Sequence, residues 1–145
     1  MTAKEYRCIV VTGASSGIGK ETAKAFAAMG WHVIGTGRNP QRCDEAEAEI
    51  RAAAAPDAKI DFLRGDMALM SEVKRIAEEI KHLTGRIDVL FNNSGGVRDQ
   101  REVLQHAEPG LRSSTAQRMI FNFSAKELQL ALVRHPRRPD LLVSM

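Results

Sequence analysis

The segment Thr12-Gly13-Ala14-Ser15-Ser16-Gly17-Ile18-Gly19 constrains this chain more than any other. It follows Cys8 to Val11, an unbroken apolar, β-branched run that reads as a strand buried on both faces. It precedes Lys20 to Met29, where Ala23, Phe26 and Ala27 share one helical face and Gly30 can close the helix. A glycine-rich turn between a buried strand and a helix predicts an anion site. Gly13 makes the tight turn, Gly17 lets a pyrophosphate approach bare backbone, and Gly19 lets helix and strand pack. The helix N-terminus adds unpaired N–H groups and a favourable dipole. Ser15 and Ser16 can add hydroxyl contacts, and Ile18 completes the contact set.

The alternation continues. His32 to Thr36 reads as a second strand. Asn39 can cap a helix with Pro40 at its first position, running through the Glu/Ala-rich stretch to Ala55 and stopping at Pro56. Lys59 to Leu63 is a third strand, with Ile60 and Phe62 on one face. Ser71 can cap a helix whose stripe is Val73, Ile76, Ala77, Ile80 and Leu83, ending at Gly85. Ile87 to Phe91 is a fourth strand. Strand and helix in strict alternation give an α/β fold, a Rossmann-like doubly wound parallel sheet, and right-handed crossovers leave strand order 3-2-1-4. Asp140 to Ser144 is the candidate fifth strand. Residues 1–100 are expected to form the dinucleotide-binding half. Residues 101–145 form a divergent tail in which Ala116 to Val133 could be one amphipathic helix.

In such a sheet the ligand lies outside the C-terminal ends of the strands, at the switch point between the first and fourth. The second strand ends in Thr36-Gly37-Arg38-Asn39, with no carboxylate to take a ribose 2′-hydroxyl; Asp44 lies further on, inside the next helix. Arg38 can fork onto a 2′-phosphate or stack over adenine, which favours NADP(H) over NAD(H). Asp66, with Met67 beside it, follows the third strand and can accept from the adenine amine. Asn92-Asn93-Ser94-Gly95 follows the fourth strand. Small and amide residues let backbone pass beside the adenosine ribose, and one Asn side chain can bind neighbouring strand backbone and hold the crevice open.

Composition excludes several classes. Apolar residues make up 43% and charged residues 27%, the balance of a soluble globular domain. The net charge of +3 is spread along the chain and aromatics are scarce, which argues against nucleic-acid binding; the basic stretch Arg134 to Arg138 reads as a solvated turn. Cys8 and Cys43 have neither metal-ligand spacing nor a disulfide-rich setting, so a reduced, cytoplasmic protein without a metal is expected. No run suits a signal peptide or a membrane span.

Together the motifs resemble the short-chain dehydrogenase/reductase superfamily. Its Thr-Gly-x-x-x-Gly-x-Gly is met by Thr12 to Gly19, and its Asn-Asn-Ala-Gly by Asn92 to Gly95 with Ser94 as a departure. Asp66 and Met67 match its adenine-contacting aspartate and the apolar residue beside it, and Arg38 the position that marks NADP-preferring members. The resemblance runs from Arg7 to about Gln100. It implies hydride transfer between NAD(P) and a carbonyl or alcohol, with Asn, Ser, Tyr and Lys as the catalytic set.

Here the chain departs from the pattern. Its one tyrosine is Tyr6, with Val10 four residues on, so no Tyr-x-x-x-Lys occurs in these 145 residues. Asn122 and Ser144 are weak candidates for the family's Asn and Ser. The chain thus reads as a C-terminally truncated member whose full-length form is an NADP(H)-dependent oxidoreductase, with a small carbonyl/alcohol substrate and a homo-oligomer as candidate partners. The alternative is a non-catalytic nucleotide-binding module. The tail past Gln100 is open to explanation as a frameshift, a splice form or divergence.

Overall fold

Parallel pairing organises the described residues. The structure, a computed structural model, describes residues 6–67, 69–93 and 141–144. Its elements alternate as β1 (Cys8–Val11), α1 (Gly17–Ala28), β2 (His32–Gly37), α2 (Pro40–Ala53), β3 (Lys59–Arg64), α3 (Met70–Leu83), β4 (Val89–Asn92) and β5 (Leu141–Ser144). All pair in parallel in one sheet of order β3-β2-β1-β4-β5. The expected 3-2-1-4 order is observed, and β5 joins beside β4. Ser94, Gly95, Asn122, the expected helix from Ala116 to Val133 and the basic stretch from Arg134 to Arg138 lie outside the described residues.

Strands β1 and β2 are buried on both faces, and the period of two along the strands divides the described core residues between two cores. Ile9 and Val11 of β1 pack with Val33, Ile60, Phe62 and Phe91 against α1 and α2 through Ala23, Ala27, Ala46 and Ile50. Cys8 and Val10 pack with Ile34 and Leu90 against α3 through Val73, Ile76, Ala77 and Ile80. Ile60 and Phe62 share a core, as their spacing requires. Burying one isoleucine contributes roughly 1.5–3 kcal/mol, so Ile9, Ile50 and Ile60 on one side and Ile34, Ile76, Ile80 and Ile87 on the other hold both helical layers.

The boundaries show which local signals prevail. Asn39 caps α2 by accepting from the Arg42 N–H at 3.1 Å, with Pro40 at the first position. The helix stops at Ala53, short of Ala55, because the Ala55 N–H donates to the Ala27 carbonyl of α1 at 2.9 Å instead of continuing the helix. Gly30 takes φ 82 just past α1.

Two expectations are corrected. Ser71 does not cap α3: the helix starts at Met70, two residues earlier than a Ser71 cap implies, Leu69 occupies the cap position without a side-chain bond, and Ser71 lies within the first turn. Strand β4 starts at Val89 rather than Ile87. Before it, the Asp88 N–H donates to the Cys8 carbonyl at 2.9 Å while the Asp88 carboxylate accepts from the Cys8 N–H at 2.7 Å, so a side chain replaces the next strand acceptor.

Candidate functional site

The C-terminal ends of β1, β2 and β4 meet at the glycine turn. The Thr12 N–H donates to the Phe91 carbonyl at 3.1 Å and the Ala14 N–H to the Thr36 carbonyl at 2.8 Å, so the turn is pinned to both neighbours of β1. This is where the chain, having moved outward through β2 and β3, returns to β4 on the other side, which opens a crevice at the strand ends.

Gly13 and Gly17 take φ 68 and φ 57, in the left-handed region that costs an L side chain roughly 1–2 kcal/mol. A Cβ on Gly17 would meet nothing within 4 Å, so this backbone faces open space at the first residue of α1. Gly19 is different. Its Cβ would lie 2.6 Å from the Asn93 amide nitrogen, 2.9 Å from the Gly13 carbonyl carbon, and against the Gly13 oxygen. Glycine is required there because the helix backbone touches the turn that precedes it. Ser16 is extended at the helix cap and exposed, Ser15 is half-buried, and Ile18 stands 58% exposed, an unusual placement for so apolar a side chain.

Asn93 joins the two sides of the crevice. Its N–H donates to the Thr12 hydroxyl at 3.0 Å and its side-chain amide donates to the Gly13 carbonyl at 3.3 Å. The bond from one Asn of the pair to neighbouring backbone is made by Asn93; Asn92 ends β4 and is 5% exposed. Thr12 had also been omitted from the contact set. The sequence signal was present in both cases. A residue at the end of a buried strand points into a core, and the next one along is free to turn back to the loop.

Arg38 is exposed just past β2, and among the described residues no ion pair engages it. Arg64 at the end of β3 is the contrasting case: it pairs with Asp44 of α2 and reaches Glu47 at 3.3 Å. Asp44, the nearest carboxylate in sequence after Arg38, is thereby occupied. Below the β2–α2 turn the Cys43 thiol is fully buried and would lie 2.6 Å from a Cβ on Gly37; burial pushes its pKa up. Asp66 is half-buried and its carbonyl accepts from the Leu69 N–H at 2.9 Å, while Met67 packs against the α3 core. Register places Ser144 beside Asn92, at the same edge of the sheet as the glycine turn. Tyr6 lies at the opposite edge, edge-on to His32 with ring centroids 6.2 Å apart, so the chain's one tyrosine is not at the crevice. Among the described residues no group of His, Cys, Asp or Glu could hold a metal, and no helix is long and apolar enough to cross a membrane.

A doubly wound parallel sheet whose glycine turn sits at the switch point defines a nucleotide-binding α/β protein of Rossmann type. The family model described as short chain dehydrogenase matches residues 7–122, and the chain belongs to that family of oxidoreductases. A relative is the dehydrogenase/reductase SDR family member 7B of Xenopus laevis, 39% identical over 90 residues, or 60% of this chain and 28% of that protein. Two solved structures are similar. A short-chain dehydrogenase from Sphingobium yanoikuyae in complex with NADPH superposes with a TM-score of 0.65 at 25% identity, covering 86% of this chain and 46% of that one. A short-chain type dehydrogenase/reductase from Mycobacterium ulcerans does so with a TM-score of 0.68 at 27% identity, covering 88% and 47%. The chain thus spans less than half the length of these relatives. Family members bind nicotinamide dinucleotides, and the Sphingobium enzyme holds NADPH.

Proposed function

We propose that this chain supplies the cofactor-binding half of an NADP(H)-dependent oxidoreductase that interconverts a carbonyl and an alcohol. The observation that carries this reading is the Gly17 backbone, left-handed and open, at the N-terminus of a helix whose Gly19 touches the preceding turn. The N–H groups of the first turn of α1 would bind a diphosphate, with Ser15 and Ser16 hydroxyls beside them and Ile18 covering its apolar side. Asp66 would accept from the adenine amine. The segment from Asn92 through Ser94 and Gly95 would pass beside the adenosine ribose, with Asn93 holding its position. Arg38 would neutralise the 2′-phosphate; its exposure and the occupation of Asp44 by Arg64 support NADP(H) over NAD(H). The cofactor, when bound, supplies or accepts the hydride. In whole family members a tyrosine moves the proton; in this chain Tyr6 is too far round the sheet to do so. The two buried free thiols, Cys8 and Cys43, support a reducing compartment such as the cytoplasm.

Fluorescence titration tests the cofactor assignment. NADPH should bind more tightly than NADH, and Arg38→Asp should weaken NADPH by about tenfold or more while leaving NADH within a small factor. Equal loss for both cofactors refutes the phosphate role. NADPH oxidation across a panel of carbonyl compounds tests whether this chain turns over by itself, with a Gly17→Ala/Gly19→Ala double variant as control; turnover well above the control's supports catalysis by the chain, and binding without turnover selects a non-catalytic nucleotide-binding module.

A further inference from the structure

The short segment that leaves β3, from Arg64 through Gly65 to Asp66, is held from two sides. From below, the Gly65 N–H donates to the Gly37 carbonyl of β2 at 2.9 Å. From the α3 side, the Arg75 guanidinium donates to the Arg64 carbonyl at 2.6 Å. That guanidinium is itself fixed. It forks onto Glu72 through Nε at 3.1 Å and Nη2 at 2.7 Å, and its Nη1 reaches Glu79 at 2.7 Å. The fit is close: a Cβ on Gly65 would stand 2.7 Å from Ile76 Cδ1, 2.8 Å from Arg75 Nη2 and 2.8 Å from Glu72 Oε2.

An exposed ion pair on one helix contributes little to stability. Two carboxylates holding one guanidinium aimed at a main-chain carbonyl are more than a surface pair requires. A bond to a charged donor is about twice as strong as a neutral one and is directional. The carbonyl it grips belongs to the residue two before Asp66, with only Gly65 between, whose own N–H is bonded to the Gly37 carbonyl.

We propose that Arg75 is a positioning residue for cofactor binding: by gripping the Arg64 carbonyl it sets the place of Asp66, and so the protein's selection of an adenine base over one without the exocyclic amine. The inference rests on the reading of Asp66 as the adenine contact. Glu72 keeps the grip charged: its hydrogen bond to Arg75 holds the Glu72 carboxyl below its usual range.

The test uses the full chain and two cofactors, NADPH and its hypoxanthine analogue, deamino-NADPH, which has no amine for Asp66 to accept from. The wild type should prefer NADPH by about tenfold, as for a hydrogen bond to a charged acceptor, and Asp66→Ala should remove that preference. Arg75→Met should reduce it to about threefold or less, chiefly by weakening NADPH. Arg75→Lys, which keeps a charge beside Glu72 without the planar fork, should fall between. Circular dichroism and a melt of each variant fix a temperature at which all are folded. If Arg75→Met and Arg75→Lys weaken both cofactors equally and keep the wild-type preference, Arg75 is merely structural and the inference is overturned. If the wild type itself shows no preference, the Asp66 reading fails, and the inference falls with it.

Discussion

Gly19→Ala tests the packing on which the crevice depends. The new methyl would stand 2.6 Å from the Asn93 amide nitrogen and 2.9 Å from the Gly13 carbonyl carbon, with the Gly13 oxygen in its path. Neither neighbour can simply swing away. The Gly13 turn is pinned by the bonds from Thr12 to Phe91 and from Ala14 to Thr36, and Asn93 is tethered to Thr12 and Gly13. Relief needs a shift of α1 or of the turn, and overpacking of this kind costs roughly 1–3 kcal/mol. Losing the Asn93 bond adds about 1 kcal/mol, and the helical preference of alanine over glycine gives back at most about 1 kcal/mol. The net is a destabilisation of about 1–3 kcal/mol. In urea, where small proteins lose about 1–3 kcal/mol per molar, the midpoint should fall by roughly 1 M. Gly17→Ala is the matched comparison. No atom lies near its methyl, so its stability cost of about 1–2 kcal/mol comes from φ alone. Adding Asn93→Ala to Gly19→Ala should relieve only part of the loss, because the Gly13 main chain remains. A Gly19→Ala protein that unfolds at the wild-type midpoint, or one fully rescued by Asn93→Ala, would refute the reasoning.

Other expectations follow from the far edge of the sheet. Asp88→Ala leaves the buried Cys8 N–H without its side-chain acceptor and takes one carboxylate away from Arg86; it should cost about 2–4 kcal/mol in chemical denaturation, with Asp88→Asn costing less; a neutral Asp88→Ala would remove Asp88 as the β1–β4 fastener. Burial lowers the His32 pKa below its ordinary 6.5, opposed by Asp61 at 2.7 Å. A depressed histidine pKa means the unfolded chain takes up protons first, so stability is full above pH 6.5 and is lost as pH falls toward the folded value. Urea midpoints should decline over that window in the wild type and less in His32→Gln; equal slopes would contradict the assignment. Burial also pushes Cys8 up to about 12 and raises Cys43, so at pH 8 iodoacetamide should label neither thiol until the protein unfolds. Rapid labelling of the native protein would refute that burial.

Most of the scaffold was legible because its signals are local. The run Cys8 to Val11 could only be a two-sided strand, and Asn39-Pro40 is a cap and first turn that no distant contact overrides. What local pattern could not show was set by partners far along the chain. Ser71 looked like a cap, but α3 starts earlier at Met70 and Arg75 reaches back to the Arg64 carbonyl. Asp88 looked like an ordinary strand residue, and its role depends on Cys8, eighty positions away. The glycine turn was read correctly in place and in the demand for a bare Gly19, since strand–turn–helix order fixes both. Which Asn of the pair turns back to the loop depends on where β4 ends, and the sequence does not mark that end.

The Asp88 anchorage has a consequence for how such a domain can change. It ties the sheet together at the edge remote from the crevice, by a side chain clasping main chain, together with the His32–Asp61 contact. Part of the strands' coherence is therefore secured away from the crevice. Positions along the opposite lip, Arg38 foremost, are released from that duty. A laboratory library randomised only at exposed lip positions such as Arg38 and Ser16, with Gly13, Gly17, Gly19 and Asn93 kept, should alter recognition while leaving melting behaviour almost constant, so the domain offers separate handles for selectivity and for robustness.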